Sequence, residues 1–208
     1  MNWLAHLYLS ERNPAFRLGN LLPDLLPPAS LASLPADFRR GIEQHRRIDV
    51  FTDTHPVVRQ SIQRVGPPFR RFGGILCDVF YDHFLARDWC SYSPEPLSVF
   101  AGAVYESFEQ YRAHIPPEAH AHLSQVRAGE WLCSYQDLSG IARALGRIGS
   151  RFRRPVDLAP SISVLEHSYD LFHADFCTFF RELQPHVAGH VIGATLPDDF
   201  SIIGTDFD

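Results

Sequence analysis

Histidine and aspartate side chains are concentrated among apolar residues in one stretch of the sequence, residues 41–89. A buried carboxylate needs a positive partner or a metal ion, because desolvating an unpaired charge is costly. Imidazole nitrogens and carboxylate oxygens are also ligands that many divalent cations take in proteins. We therefore interpret the stretch as two helices that face each other across a metal site. Its candidate residues are His45, Asp49, Asp53, His55, Asp78, Asp82 and His83.

The first of these helices is predicted to begin near Pro35, where apolar residues start to recur at three- and four-residue steps. His45 and Asp49 are four residues apart, so they share one face and lie within reach of a common ion. A break is predicted just before Pro56, because the residue before a proline avoids the helical conformation. Asp53, at this break, is as consistent with helix capping as with chemistry.

The second helix is predicted over residues 69–89, where apolar residues on nearly every face indicate a buried central helix. Asp78 and Asp82 are four residues apart, and like charges at this spacing repel by about 0.2–0.5 kcal/mol even at the surface. Burial strengthens the repulsion, so protonation, pairing with arginine or a cation must relieve it. His83 is offset from Asp82 by about 100°, so both contact one ion only at the helix edge. The alternative to a metal site is a set of salt bridges to Arg46, Arg47, Arg70 and Arg71.

Two further candidates lie before this stretch. His6 falls in a predicted helix over residues 2–10, and a lone histidine among apolar residues is more often a satisfied core residue than a ligand. Asp24 lies in a short apolar segment that glycine and proline residues divide into turns. It is predicted to be either a helix cap or an inward-facing ligand or base.

The four cysteines show no CxxC spacing, so the sequence predicts neither a disulfide framework nor a zinc–thiolate site. Carboxylate and imidazole ligands without thiolate favour the harder cations, manganese, magnesium or iron, over zinc.

Beyond residue 89 the sequence predicts helices over residues 94–115, 118–126 and 136–148, and one long amphipathic helix over residues 160–183. The acidic tail after Pro185 is expected to be loosely held. No strand pair is evident. The sequence therefore predicts an all-α protein, a single-domain helical bundle that spans residues 1–208.

Composition excludes several classes of protein. The chain has 208 residues, of which 45% are hydrophobic and 21% charged, as in ordinary globular domains. A net charge of -5 argues against a nucleic-acid-binding protein, although all 19 basic residues are arginines, which weakly favours an anionic partner. No apolar run is long enough to cross a membrane, and the N-terminus lacks the features of a signal peptide. We expect a cytoplasmic protein, and the sequence leaves its oligomeric state open.

Four motifs carry a resemblance to a known family: MNWLAHLYLS, GNLLPD, HRRIDVFTDTHP and DVFYDHFL. With these motifs in this order, the chain resembles the acyl carrier protein phosphodiesterase family, also called acyl carrier protein hydrolase. That family is related to the HD-type metal-dependent phosphohydrolases, which are all-helical, so the resemblance implies an HD-phosphohydrolase-like bundle. It implies hydrolysis of the phosphodiester that links 4′-phosphopantetheine to a serine of holo acyl carrier protein. It also implies a divalent cation, Mn²⁺ first, with Mg²⁺ or Fe²⁺ as alternatives.

The resemblance also suggests roles for individual residues. Asp24 is expected to be a further ligand or a general base, and His6 or His55 to protonate the departing serine oxygen. One difference from the wider superfamily is that the adjacent pair here is Asp82-His83, the reverse of the usual His-Asp order. The expected metal ligands are His45, Asp49, Asp78, Asp82 and His83. The arginines expected to meet the acidic carrier protein are Arg46, Arg47, Arg70 and Arg71.

Two alternatives to this activity stay open. The chain could be a phosphohydrolase that acts on nucleotides or other small phosphodiesters. It could also be a non-enzymatic helical protein that binds carrier protein, if salt bridges consume all of the acidic residues.

Overall fold

The computed structural model describes residues 2–188, and within them it contains α-helices, short 3-10 turns and no β-strand. The predicted all-α fold is confirmed. The helices are α1 (Trp3–Tyr8), α2 (Pro14–Gly19), α3 (Pro28–Leu31), α4 (Ala36–Thr54), α5 (Pro56–Arg64), α6 (Gly73–Arg87), α7 (Leu97–Gln110), α8 (Pro117–Ala128), α9 (Trp131–Ser134), α10 (Leu138–Ser150), α11 (Ile162–His167) and α12 (Tyr169–Ala188).

Helix α4 begins directly after Pro35 and ends at the break predicted before Pro56. His55 adopts an extended backbone there, with φ -70° and ψ 128°, as the residue before a proline should. Its Nδ1 accepts a hydrogen bond from the backbone N–H of Val57 at 3.3 Å, so the imidazole caps α5.

Helix α6 is the central helix of the bundle. It is shorter than predicted, because 3-10 turns at Arg70–Phe72 and Trp89–Ser91 flank it. Phe80, Tyr81 and Phe84 are fully buried, and α6 packs against α1, α5, α10 and α12. Burial on all sides explains why its sequence is apolar on nearly every face.

The single long helix predicted over residues 160–183 is wrong, because the structure divides this segment into α11 and α12. Ser168 has non-helical dihedral angles, φ -125° and ψ 32°, and its carbonyl accepts the N–H of Phe172 to begin α12. Serine competes with the helical backbone for hydrogen bonds and therefore favours helix boundaries. Helix α12 continues through Pro185 to Ala188, and the rest of the predicted loose tail lies outside the described residues.

Helices α2 and α4 cross at unusually close range because each presents a glycine to the other. A Cβ atom on Gly19 would lie 2.1 Å from the carbonyl oxygen of Phe38, and one on Gly41 would lie 2.1 Å from that of Phe16. Both distances are far below van der Waals contact, so no other residue fits either position without moving a helix. This close crossing brings Asn20, directly after α2, against α4.

Within residues 2–188 no helix is both long and apolar enough to cross a membrane.

Candidate active site

Three side chains from two helices converge at one point: His6 on α1, and His45 and Asp49 on α4. The Nε2 atom of His6 lies 3.2 Å from Asp49 Oδ1, and that of His45 lies 2.9 Å from Asp49 Oδ2. The two imidazole rings stack with centroids 4.2 Å apart. One potential ligand atom from each residue falls within 4.8 Å of the others, and this is the only such group of three among the described residues.

Asn20 orients both imidazoles. Its side-chain amide nitrogen donates to the carbonyl oxygen of His6 and to Ser10 Oγ, both at 2.9 Å, which turns Oδ1 toward His6. His6 Nδ1 then donates to Asn20 Oδ1 at 3.0 Å, and His45 Nδ1 donates to the Asn20 carbonyl oxygen at 2.8 Å. Because each Nδ1 directs its proton to an acceptor, each ring turns its Nε2 toward the cluster. A neutral ring presents the Nε2 lone pair to a metal ion, and a protonated ring donates from Nε2 to Asp49 when no ion is bound.

Asp24 lies at the solvent-exposed edge of this cluster. Its Oδ2 accepts a hydrogen bond from the indole Nε1 of Trp3 at 2.9 Å, and its Oδ1 lies 3.6 Å from His45 Nε2. Trp3 therefore holds Oδ2 in place, and Oδ1 lies on the side of His45. The short 3-10 turn Leu22–Asp24, which follows α2, holds the residue in place.

The electrostatics of the cluster favour a bound cation. Burial opposes ionisation of Asp49, but hydrogen bonds from His45 and His6 outweigh it and hold the pKa of Asp49 well below its usual range. Burial and the neighbouring His45 lower the pKa of His6. Burial also lowers the pKa of His45, but Asp49 and Asp24 more than offset this and raise it. An ionised carboxylate thus faces two buried imidazoles, one of which resists protonation.

The donor set fits a divalent metal ion. Two Nε2 lone pairs and a carboxylate converge, a second carboxylate stands beside them, and acceptors behind the rings fix the tautomers. Histidine ligands in metal proteins characteristically carry such an outer hydrogen bond. Without thiolate in the set, cations that prefer oxygen and nitrogen are favoured.

Asp82, a predicted ligand, makes a different contact. Its two oxygens accept the backbone N–H groups of Leu4 at 2.7 Å and Ala5 at 3.0 Å, at the start of α1. Burial raises the pKa of Asp82 to about 7, against the opposing effect of these two donors. The residue anchors the helix that carries His6. Its role as a metal ligand stays a prediction, and its contacts favour the anchoring role.

His83 has both ring nitrogens engaged elsewhere. Its Nδ1 pairs with the carbonyl oxygen of Tyr135 at 2.8 Å and its Nε2 with the hydroxyl of Tyr169 at 2.7 Å. These contacts hold α6 against α12 and the segment after α9. The structure therefore does not bring His83 to the cluster of His6, and its ligand role stays a prediction.

Neither Asp78 nor His55 belongs to the cluster of His6, His45 and Asp49. Burial, with added repulsion from Asp49 and Asp53, raises the pKa of Asp78 to about 6, so this half-buried acid is electrostatically coupled to the cluster. His55 Nε2 lies 3.2 Å from Glu182 Oε2, which ties the end of α4 to α12. The ligand role of Asp78 and the proton-donor role of His55 stay predictions.

The four arginines predicted to meet the carrier protein differ in their surroundings. Arg46 and Arg70 are exposed, Arg71 stacks on Phe72 with its guanidinium 4.5 Å from the ring centroid, and Arg47 pairs with Glu43. Their docking role stays a prediction.

Sequence reasoning missed Asn20 and Trp3 and treated His6 mainly as a core residue. From sequence, Asn20 is predicted only to form part of a turn. The signal that points to a buried polar contact is its amide side chain, which directly follows Gly19 at the end of α2. The Nε2 atoms of both histidines are oriented through this one residue. Its importance depends on the α2–α4 crossing, which no local pattern reveals.

The fold and the cluster together define an all-helical protein whose histidine and aspartate side chains form a candidate cation site. Residues 1–183 match the family described as acyl carrier protein phosphodiesterase. The chain belongs to the acyl carrier protein phosphodiesterase family.

Curated relatives with the name acyl carrier protein phosphodiesterase cover most of the chain. One from Enterobacter sp. (strain 638) is 34% identical over 88% of this chain and 96% of its own. One from Escherichia coli O139:H28 is 35% identical over the same shares, 88% and 96%. One from Salmonella agona is 33% identical over 90% of this chain and 98% of its own. No solved structure matches the chain.

Proposed function

We propose that this protein hydrolyses the phosphodiester between 4′-phosphopantetheine and the serine of holo acyl carrier protein, with a divalent metal ion, to give apo acyl carrier protein. The observation that supports this most directly is the cluster of His6, His45 and Asp49, with both rings oriented by Asn20, in a chain of this family. We propose Mn²⁺ as the ion, with Mg²⁺ or Fe²⁺ as alternatives.

The metal would be held by His6 Nε2, His45 Nε2 and the carboxylate of Asp49. When bound, such an ion polarises the phosphoryl oxygens and supplies a water of lowered pKa as nucleophile. Residues of the chain itself exclude water, direct the approach of substrate and accept the proton. Burial of His6 and His45 excludes bulk water from one side, so substrate approaches from the exposed side, where Asp24 lies.

Asp24 is the candidate general base. Trp3 fixes Oδ2, which leaves Oδ1 to accept a proton from the attacking water. A carboxylate that is exposed on one side can exchange this proton with solvent after each turnover. The anchored indole restricts the rotation of the carboxylate, so the base is held in position before substrate binds.

The direct test is the mass of acyl carrier protein before and after incubation with the protein and Mn²⁺. We expect the holo form to lose the mass of its phosphopantetheine arm, and free 4′-phosphopantetheine to appear. Protein freed of metal by a chelator should leave the holo form intact, and adding Mn²⁺ back should restore release. Equal release by chelated and Mn²⁺-loaded protein would disprove the metal role. Turnover of free nucleotides with no change in holo carrier protein would disprove the substrate.

The ligand set is tested separately by thermal unfolding. Mn²⁺ at 100 times its Kd should stabilise the wild type by about 2.7 kcal/mol. At this chain length each kcal/mol raises Tm by about 2–4 °C. We expect His45→Gln to lose this shift, because it removes one of the converging lone pairs.

His83→Gln is the matched control, since it makes the same substitution in a buried histidine whose nitrogens are engaged elsewhere. It should lower Tm in chelator yet keep the Mn²⁺-dependent rise. A rise that is lost in both variants would favour the ligand set predicted from sequence, which contains His45 and His83. A rise kept in His45→Gln would remove His45 from the metal site.

The proposal places the enzyme in the cytoplasm. All four cysteines are free, as expected of a protein in a reducing compartment.

A further inference from the structure

A cavity of about 110 Å³ opens directly beside the cluster. Asp24 lines this cavity and also lies at the edge of the cluster, so the two adjoin at that residue. Trp3 lies at the same junction, because it lines the cavity and also holds Asp24 through its indole nitrogen. The residues that matter here are Trp3, Asp24, His122, Trp131, Arg147 and Arg151.

Arg147 lines this cavity, and its guanidinium group has an unusual environment. Its guanidinium stacks on the Trp131 ring, 3.8 Å from the centroid, and its Nε and Nη2 are buried without any hydrogen-bond partner. Burial lowers the pKa of Arg147, although the group stays charged. Buried donors on a charge are costly unless something accepts their hydrogen bonds. Within residues 2–188 no salt bridge supplies that acceptor to Arg147.

The two unpartnered nitrogens have a specific chemistry. Nε and Nη2 carry parallel N–H bonds on one edge of the planar guanidinium group, the arrangement that binds two oxygens of a phosphate or carboxylate at once. Stacking on Trp131 fixes the plane of the group, so little further ordering is needed when such an anion binds. The missing ligand is therefore expected to be an anion that offers two oxygens to this edge of the guanidinium group, as phosphate does.

The surroundings of Arg147 also favour an anion. His122 lies between two arginines: its Nε2 is 3.4 Å from Arg151 Nη1, and burial together with Arg151 and Arg147 lowers its pKa. Among the described residues, Asp24 is the only acidic one in the lining, and it lies at the end that meets the cluster. The cavity thus has a cationic part around Arg147 and joins the proposed metal centre at Asp24.

We propose that this cavity is the phosphate-binding subsite of the enzyme, in which the Nε and Nη2 of Arg147 bind the nonbridging oxygens of the phosphopantetheine phosphate beside the cluster. This inference rests on the proposed function and deepens it, because it identifies the group that recognises the substrate's phosphate. Arg147 is then a substrate-binding residue whose unpaired donors persist because binding satisfies them.

The test uses the full-length protein in chelator, so that no metal contributes to binding. Free 4′-phosphopantetheine and pantetheine are titrated while the fluorescence of Trp3 and Trp131 in the cavity wall is followed. Wild type should bind 4′-phosphopantetheine at least about tenfold more tightly than pantetheine, and Arg147→Met should abolish that preference, since two charge-assisted hydrogen bonds are lost. Arg143→Met is the matched control, because Arg143 is exposed on the same helix and its guanidinium donates to Ser139 Oγ, outside the cavity lining, so it should behave as wild type.

A structural role for Arg147 makes opposite predictions. If the residue serves only to pack on Trp131, Arg147→Met should lower Tm and leave the preference for the phosphorylated ligand unchanged, which would overturn the inference. A phosphate-binding role predicts an unchanged or higher Tm with the preference lost, because a buried unpaired charge has been removed.

Activity on holo carrier protein separates this inference from the proposed function. Undiminished kcat/KM in Arg147→Met would overturn the subsite while the function stands. Arg147-dependent binding of 4′-phosphopantetheine by a wild type that leaves holo carrier protein intact would overturn the function and support the subsite.

Discussion

Asp49→Asn is expected to reduce release of phosphopantetheine from holo carrier protein by more than about 100-fold. Loss of an outer-shell partner of a metal site typically costs 10–100-fold, so loss of a direct donor should cost more. Asp49 faces both imidazoles, with an oxygen 3.2 Å from His6 Nε2 and another 2.9 Å from His45 Nε2. The amide keeps the size of the side chain but loses its charge. The measurement is single-turnover release at saturating Mn²⁺.

Asp37→Asn is the matched control for this variant. It makes the same acid-to-amide change on the same helix, at a partly exposed residue that contacts Asn13 and Arg40. We expect its release rate to stay within about twofold of wild type, since surface changes away from a site have small effects. Circular dichroism should show helical content unchanged in both variants. An active Asp49→Asn protein with an intact fold would remove Asp49 from the catalytic site.

Asp82→Asn should have the largest effect on stability of any single change in the site region. An asparagine retains one acceptor for the N–H groups of Leu4 and Ala5 but places an NH₂ group opposite the other. A buried donor left unsatisfied costs about 1–3 kcal/mol. Urea unfolding in chelator should therefore show a loss of about that size. Because α1 carries His6, activity should fall as well, through a displaced ligand.

The same experiment with added Mn²⁺ decides between the two roles of Asp82. If the residue anchors α1, the loss of stability is present in chelator and the variant keeps a measurable Mn²⁺-dependent gain. If it is a metal ligand, the variant unfolds like wild type in chelator and differs only when Mn²⁺ is present. The second pattern would refute the anchoring role that its contacts indicate.

Local sequence patterns were informative wherever short-range geometry controls the outcome. The four-residue spacing of His45 and Asp49 correctly predicted side chains on one face, because helix geometry alone brings such residues together. Pro56 correctly predicted where α4 ends. The same reasoning also paired Asp78 with Asp82, but spacing does not indicate what a helix face packs against. Asp82 faces the start of α1 instead.

The sequence by itself determined the all-α fold, the burial of α6, the family and the residue types of the candidate cation site, since periodicity, proline positions and motifs are local properties. Only the tertiary structure decided which of those residues meet. It places α1 so that His6 contacts Asp49 of α4, while Asp82 of α6 accepts a hydrogen bond from the first turn of α1. The close crossing of α2 and α4 at their glycines also places Asn20 where it accepts hydrogen bonds from both histidines. The reason is physical: these contacts join residues far apart in the chain, and only the packing of the whole core brings them together.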